Sequence, residues 1–239
     1  RYNKKKIFFD KINSNFLEGE LSLSGKINLK QEDTFDFKGS IKDISINTFL
    51  EKINITSWER VKIKLSTNNF SINGKRNNKN NFIKNLKASA NISGTLFLIS
   101  TEEERFGAAL LSLLVDKIPD ISSTSKSINF LLSTYANIPT NISGDLFLEN
   151  GILKTNNMKI ENEFGKSSLI GSFDIVNDVI EGKILFYEEE EIFLEASLEG
   201  KISDPVMLVG GTVMNNQNAT PKNIKKIFEE GISSFVDKL

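Results

Sequence analysis

The densest set of ionisable side chains in the sequence is Glu188-Glu189-Glu190-Glu191. Carboxylates bind calcium when they converge, but consecutive side chains on a strand point to opposite faces, so the run reads as a solvated hairpin turn. Paired acids for sugar hydrolysis stay open at this level, because their separation is a three-dimensional property. Histidine and cysteine are both absent from the 239 residues. That removes the usual general base, the usual zinc ligand, thiol nucleophiles and disulfides. No stretch matches G-x-x-x-x-G-K-[ST], G-x-G-x-x-G or G-x-S-x-G, so phosphate cradles, dinucleotide folds and nucleophile elbows have no anchor. The expectation is a protein that is not an enzyme and takes no cofactor or metal.

With 30 basic and 31 acidic residues the formal net charge is -1, so no global field favours nucleic acid. The basic stretch Lys75-Arg76-Asn77-Asn78-Lys79 could meet phosphate, but reads more simply as an exposed loop. What remains is the chemistry of oily surface. Hydrophobic residues make up 39% of the chain and there are 18 phenylalanines, enough to fill a core in one domain.

The elements that would carry this surface are strands. Residues 141 to 211 alternate apolar and polar side chains, most plainly at Ile192, Leu194, Ala196 and Leu198, with Glu195, Ser197 and Glu199 between them. This period makes one greasy and one wet face. Asn150-Gly151, Phe164-Gly165, Asn177-Asp178, Glu188 to Glu191 and Asp204-Pro205 supply the turns of an antiparallel meander. Similar runs precede it: Leu21, Leu23 and Ile27; Phe35 and Phe37; Val61, Ile63 and Leu65; Leu86, Ala88, Ala90 and Ile92. A bulge or single helical turn is expected near Asn47 to Lys52. The phrase Ser-Gly followed by a short alternating strand recurs at Ser24, Ser93 and Ser143, as in stacked strand units.

Three segments change to helical period. Phe106, Leu110, Leu113 and Leu114 predict a helix over 102–118, ended by Pro119; Ile128, Leu131, Leu132 and Tyr135 predict one over 126–136. Thr220-Pro221 opens a third, over 221–239, whose stripe of Ile224, Ile227, Phe228 and Ile232 follows Lys222, Lys225 and Lys226. That last helix suits either docking on the sheet or contact with lipid headgroups. The organisation expected is 1–100 as an N-terminal strand portion, 101–140 as a helical insertion, 141–211 as the meander and 212–239 as linker and helix. All four read as one continuous domain. The opening Ile7-Phe8-Phe9 is far shorter than a membrane span, and the chain reads as part of a longer protein.

The order Ile142-Ser-Gly-Asp-Leu-Phe-Leu-Glu-Asn-Gly151, Phe164-Gly165, Gly171-Ser172-Phe173-Asp174-Ile175 and Gly200-Lys201-Ile202-Ser203-Asp204-Pro205 resembles the carboxy-terminal region of AsmA-like envelope proteins. The likeness covers roughly residues 101 to 239. It implies a long, twisted antiparallel sheet folded into a taco-like groove, held in the periplasm of a Gram-negative bacterium by an upstream inner-membrane anchor. It also implies that phospholipid is the partner and that acyl chains lie along an apolar trough between inner and outer membranes, in outer membrane biogenesis. The trough candidates are Leu146, Leu148, Ile184, Phe186, Ile192, Leu194, Ala196, Leu198 and Ile202. Taken singly, each reads more readily as ordinary core. Two other readings stand beside this one, namely a structural β-sandwich or binding domain with no lipid, and a carbohydrate-active β protein using paired acids.

Overall fold

A computed structural model describes residues 2–3, 5–29, 33–55, 58–75, 82–102, 130–210 and 222–223. The alternating runs all become strands of a single sheet. In chain order these are β1 (Tyr2–Asn3), β2 (Lys6–Phe16), β3 (Gly19–Asn28), β4 (Thr34–Ser45), β5 (Val61–Lys75), β6 (Lys87–Leu98) and β7 (Thr140–Glu149). There follow β8 (Ile152–Asn162), β9 (Gly165–Asp174), β10 (Val179–Glu188), β11 (Glu191–Lys201), β12 (Asp204–Gly210) and β13 (Lys222–Asn223). Each strand pairs with its neighbours in sequence, all antiparallel, and the sheet does not close into a barrel. Mainly β architecture and the groove-like twist are therefore as the alternation and the resemblance imply.

Local chemistry explains the turns. Asn150 and Gly151 adopt φ values of 54° and 79°, the left-handed pair that matches the twist of a two-residue hairpin. Leu17 and Glu18 hold similar angles without glycine, at 47° and 66°. Asn162 Oδ1 accepts the backbone N–H groups of Phe164 and Gly165, and Asp174 Oδ1 those of Val176 and Asn177, so each turn is closed by the residue that ends the strand before it. Helix α1 (Ile46–Lys52) takes its N-cap from Ser45, whose Oγ accepts the Thr48 N–H. Asn47 ties α1 to the start of β5, giving Nδ2–H bonds to the Trp58 and Val61 carbonyls and accepting the Ile63 N–H.

The pairing register places side chains on two faces across the whole sheet. One face holds Ile7, Phe9, Leu23, Ile27, Phe35, Phe37, Ile63, Leu65, Phe70 and Ile72, and continues through Ile92, Ile142, Met158, Leu169, Ile180, Ile184 and Phe186 to Leu194, Ala196 and Leu198. The other holds Lys26, Asp36, Lys38, Ser71, Asn91, Asp145, Lys159, Lys183 and Glu195. A single layer this amphipathic must curl to hide its oily side.

Twist does the curling. At about 20–25° per strand step, the six steps from β5 to β11 rotate the strands by roughly 120–150°. The start of β5 therefore comes round to the end of β11, and the Trp58 indole N–H donates to the Ile202 carbonyl at 2.9 Å across 144 residues. Register shifts lie between Phe9 and Ile12, Gly39 and Ile44, Ser66 and Phe70, Ser143 and Phe147, and Thr155 and Met158. Such bulges add local twist. Side chains take over the ladder where it breaks. Asp145 N–H donates to Asn157 Oδ1 at 2.9 Å while Asn157 and Asn91 amides both return to the Asp145 carboxylate. Thr67, 3% exposed, donates to the Asn91 carbonyl, and Asp43 N–H donates to Ser66 Oγ.

Residues 130–135 are helical, inside the segment expected over 126–136. Ala136 leaves the helix to bridge Leu98, while residues 126–129 and nearly all of the helix over 102–118 lie outside the described residues. Lys222 and Asn223 do not open a helix: they pair with Val209 and Leu208 as β13, and the remainder of 221–239 lies outside the described residues. None of the described helices is long and apolar enough to cross a membrane.

Candidate functional site

The continuous apolar face is the surface on which a function can be built, and its two halves differ. Between β5 and β11 the chain fills it. Phe130, Leu131 and Tyr135, from the 130–135 helix, pack on Phe186, Leu194, Ala196, Ile160 and Leu98. The rings of Phe130, Tyr135 and Phe186 meet at centroid distances of 5.9 to 6.5 Å. Asn162 fastens this helix by donating to the Thr134 carbonyl and the Thr140 hydroxyl. Gly165 leaves it room, since a Cβ there would lie 2.7 Å from Thr134 Cγ2. Ile55 and Trp58 close the far end over Ile180, Leu198, Ile202 and Phe173. A third cluster, Ile92, Ile142 and Met158 with Ile63, Leu65 and Leu169 around it, fills the middle.

From β2 to β4 the same face is left half open. No residue of β2 or β3 is buried, and in β4 only Ile44 and Ser45 are. Ile12 and Phe16, on the apolar side by register, are 37% and 46% exposed. Phe9, Phe37, Phe35 and Phe82 form a chain of ring contacts at 5.7, 5.7 and 6.0 Å along this surface. Phe37 lies over Gly25, whose missing Cβ would sit 2.6 Å from its ring, so the ring shields backbone that would otherwise be bare.

The nine residues expected to line a trough fall mostly in the filled half. Phe186, Leu194, Ala196, Leu198 and Ile202 are buried in its clusters, and Leu146 and Ile184 pack at their margins. Leu148 shares their face and is half-buried. A guest could reach these positions only by displacing the protein's own side chains. Ile192 is on the other face altogether. A register shift between Phe186 and Tyr187 pairs Ile192 with Tyr187, so the extra residue turns it outward, 52% exposed. Sequence reasoning missed Leu23, Ile27, Phe35, Phe37 and Phe70 as site residues, although their alternation was plain; what marks them is that no segment among the described residues covers them.

Apart from the Tyr135 phenol, the ionisable groups with shifted titration sit away from this face, on turns and on the polar side. Asn91 and Asn157 hydrogen bonds hold the Asp145 carboxyl below its ordinary value. Asn177 does the same for Asp174, Ser203 for Asp178 and Lys87 for Glu149. Glu195 pairs with Lys183 at 2.6 Å. Glu188 and Glu191 end the two strands that the Glu189-Glu190 turn joins. Among the described residues no group of three or more acids is placed to hold a metal ion. Burial pushes the Tyr135 phenol up. The Ser167 hydroxyl, which lowers it, donates to the Ile160 carbonyl at 3.4 Å and leaves the Tyr135 oxygen without a bond of good geometry. A shallow polar hollow of about 370 Å³ lies between Asn15, Glu18, Gly19, Glu20, Lys42 and Asp43 at one end of β2 to β4.

Compared with family models, with curated proteins and with solved structures, the chain finds no match. Its class is defined by the fold alone, an open and strongly coiled antiparallel meander with one oily side.

Proposed function

We propose that the protein is a non-enzymatic lipid-handling module of the bacterial envelope, in which phospholipid acyl chains lie on the apolar face of β2 to β5. The observation that supports this is the apolar surface there that no described segment covers, Leu23, Ile27, Phe35, Phe37 and Phe70 among its residues, in a sheet whose other half buries Ile180, Leu194 and Ala196 on the same face. Removing an alkyl chain from water onto such a surface gains about 0.8 kcal/mol per buried methylene. The likeness of residues 101 to 239 to AsmA-like proteins supports a periplasmic setting, next to the inner membrane, and passage of lipid between the two membranes.

The test is direct. The purified chain is extracted with solvent and the extract read by mass spectrometry, and uptake of a fluorescent phospholipid is titrated. Lipid in the extract is expected, and L23D/F37D is expected to weaken uptake roughly tenfold or more, by loss of apolar contact, while the outward-facing I192D binds like the native protein. No co-purifying lipid and no uptake would defeat the proposal. The competing reading, a structural or binding domain with no lipid ligand, draws on Leu194 and Ala196, both 0% exposed, which show how fully the chain can supply its own filling. Under it the native chain takes up no lipid, and L23D/F37D changes only stability and solubility, through the lost ring contacts of Phe37 with Phe9 and Phe35.

A further inference from the structure

We propose that the 130–135 helix is a movable plug, hinged at Asn137 and latched by Asn162, which gives up its place over Phe186, Leu194 and Ala196 to an acyl chain. The plug rests on the lipid reading for its guest, and carries that reading from the open half of the face to the closed one. The chain just past the helix is pinned. Ala136 bridges Leu98, and Asn137 takes the left-handed φ of 60° while its backbone N–H donates to the Leu98 carbonyl at 2.7 Å. Its side-chain amide brackets Ser100, donating to that carbonyl at 2.9 Å and accepting that N–H at 3.1 Å. A fixed residue at the end of an element is where a hinge absorbs backbone rotation. The helix itself is tied down by the Asn162 amide, which donates to the Thr134 carbonyl at 2.8 Å and the Thr140 hydroxyl at 3.0 Å. Asn162 is only half-buried, so water competes for both bonds.

What the helix covers is a floor that another oily body can match. Phe130 and Leu131, themselves half-buried, meet Leu98, Ile160, Phe186, Leu194 and Ala196, all apolar. Burial of such surface is non-directional, so an alkyl chain satisfies it as well as a side chain does. The cover at the far end is of another kind, because the Trp58 indole is fixed by its bond to Ile202. The same face runs on from this floor through Met158, Ile142 and Ile92 to β5, so a chain lying on the open half meets the plug without changing sides. Seating the helix also leaves one group unsatisfied. The Tyr135 phenol, in a residue 5% exposed, has no hydrogen bond of good geometry. A buried hydroxyl in that state opposes closure, and swinging the helix out returns it to water.

The experiment locks the plug. The chain has no cysteine, and a Cβ at Gly165 would stand 2.7 Å from Thr134 Cγ2, so T134C/G165C installs a single pair within disulfide reach. A phospholipid with a photoactivatable acyl chain is added to the full chain, reduced or oxidised, and the labelled peptides are read by mass spectrometry. Reduced protein is expected to carry label on β2 to β4 and on β10 and β11. Oxidation is expected to lower the label on β10 and β11 roughly tenfold or more, because a plug that cannot leave removes the state that lipid selects. Strands β2 to β4 keep theirs. N162A, which cuts the latch, is expected to raise the label on β10 and β11 above the native level, with far-ultraviolet circular dichroism checking that it is folded. Equal label there in both redox forms, or no rise in N162A, overturns the plug while label on β2 to β4 leaves the open trough standing. No label on any strand defeats the lipid reading, and the plug with it. Should the cysteine pair not fold, N162A decides alone.

Discussion

Strands β2 to β4 and strands β9 to β11 are built on one pattern, apolar residues at every second position of strands about ten to twelve residues long, yet they end in different states. In β10 and β11, Ile180, Leu194 and Ala196 are 0% exposed; in β2, Ile12 and Phe16 are more than a third exposed. Intrinsic strand preference does not separate them, because both halves are rich in Ile, Leu and Phe. The difference is a cover. The 130–135 helix and the Trp58 loop return to β8 through β11, and no described segment does the same for β2 and β3. The lesson is that alternation fixes which side of a strand is oily, while long-range returns of the chain decide whether that side is core or binding surface.

The comparison breaks most sharply with a charge placed on each half in turn. Leu194→Asp puts a carboxylate where no water reaches, and is expected to cost about 4–5 kcal/mol or more, enough to unfold many domains. Ile12→Asp, on the same face but open, is expected to stay within about 1 kcal/mol of the native protein. Urea unfolding followed by the emission of Trp58, the single tryptophan, measures both. Equal losses at the two positions would mean that β2 to β4 are covered after all.

A smaller effect is expected where the two ends of the curl are fastened. Trp58→Phe keeps most of the packing over Ile180 and Leu198 but removes the N–H bond to Ile202, for about 1 kcal/mol. Trp58→Ala also empties the space and is expected to cost about 2–3 kcal/mol, less than a fully buried ring because Trp58 is only half-buried. Circular dichroism in urea reads these variants, since the fluorescent probe is gone. If Trp58→Ala costs no more than Trp58→Phe, the loop rests on the sheet without helping to close it.

These contacts also mark where sequence reading stops. The period of two was plain at Leu21, Leu23 and Ile27 and at Ile192 to Leu198, and the Asn150-Gly151 turn followed from the residue pair that adopts its angles at least cost. The helical turn near Asn47 was also legible from the break in alternation at Ile46 to Leu50. Ile192 was misplaced because a bulge shifts the register without any change in the composition of the run. The open half was not identified because closure depends on Trp58 meeting Ile202 and on Asn162 gripping Thr134. Those pairings span 144 and 28 residues and leave no periodic trace.

The smallest expected effect tests the side-chain repairs that let the sheet coil. Hydrogen bonds from Asn91 and Asn157 hold the Asp145 carboxyl below its ordinary value, so the folded state binds its proton less readily than the unfolded chain does. By linkage, the stability this brings is present above the unfolded carboxyl value of about 3.9 and is lost as pH falls through the lower folded one. Asp145→Asn is therefore expected to lower the urea midpoint modestly at pH 7, with the gap to the native protein narrowing as pH is taken below about 4. The corresponding repair in the open half, where Ser66 Oγ accepts the Asp43 N–H, can be removed by Ser66→Ala without deleting a charge. A gap for Asp145→Asn that stays constant across this range would show that the charge on Asp145 is not what fastens the bulge, and that the bond Asn157 Oδ1 accepts from the Asp145 backbone N–H holds β7 against β8 by itself.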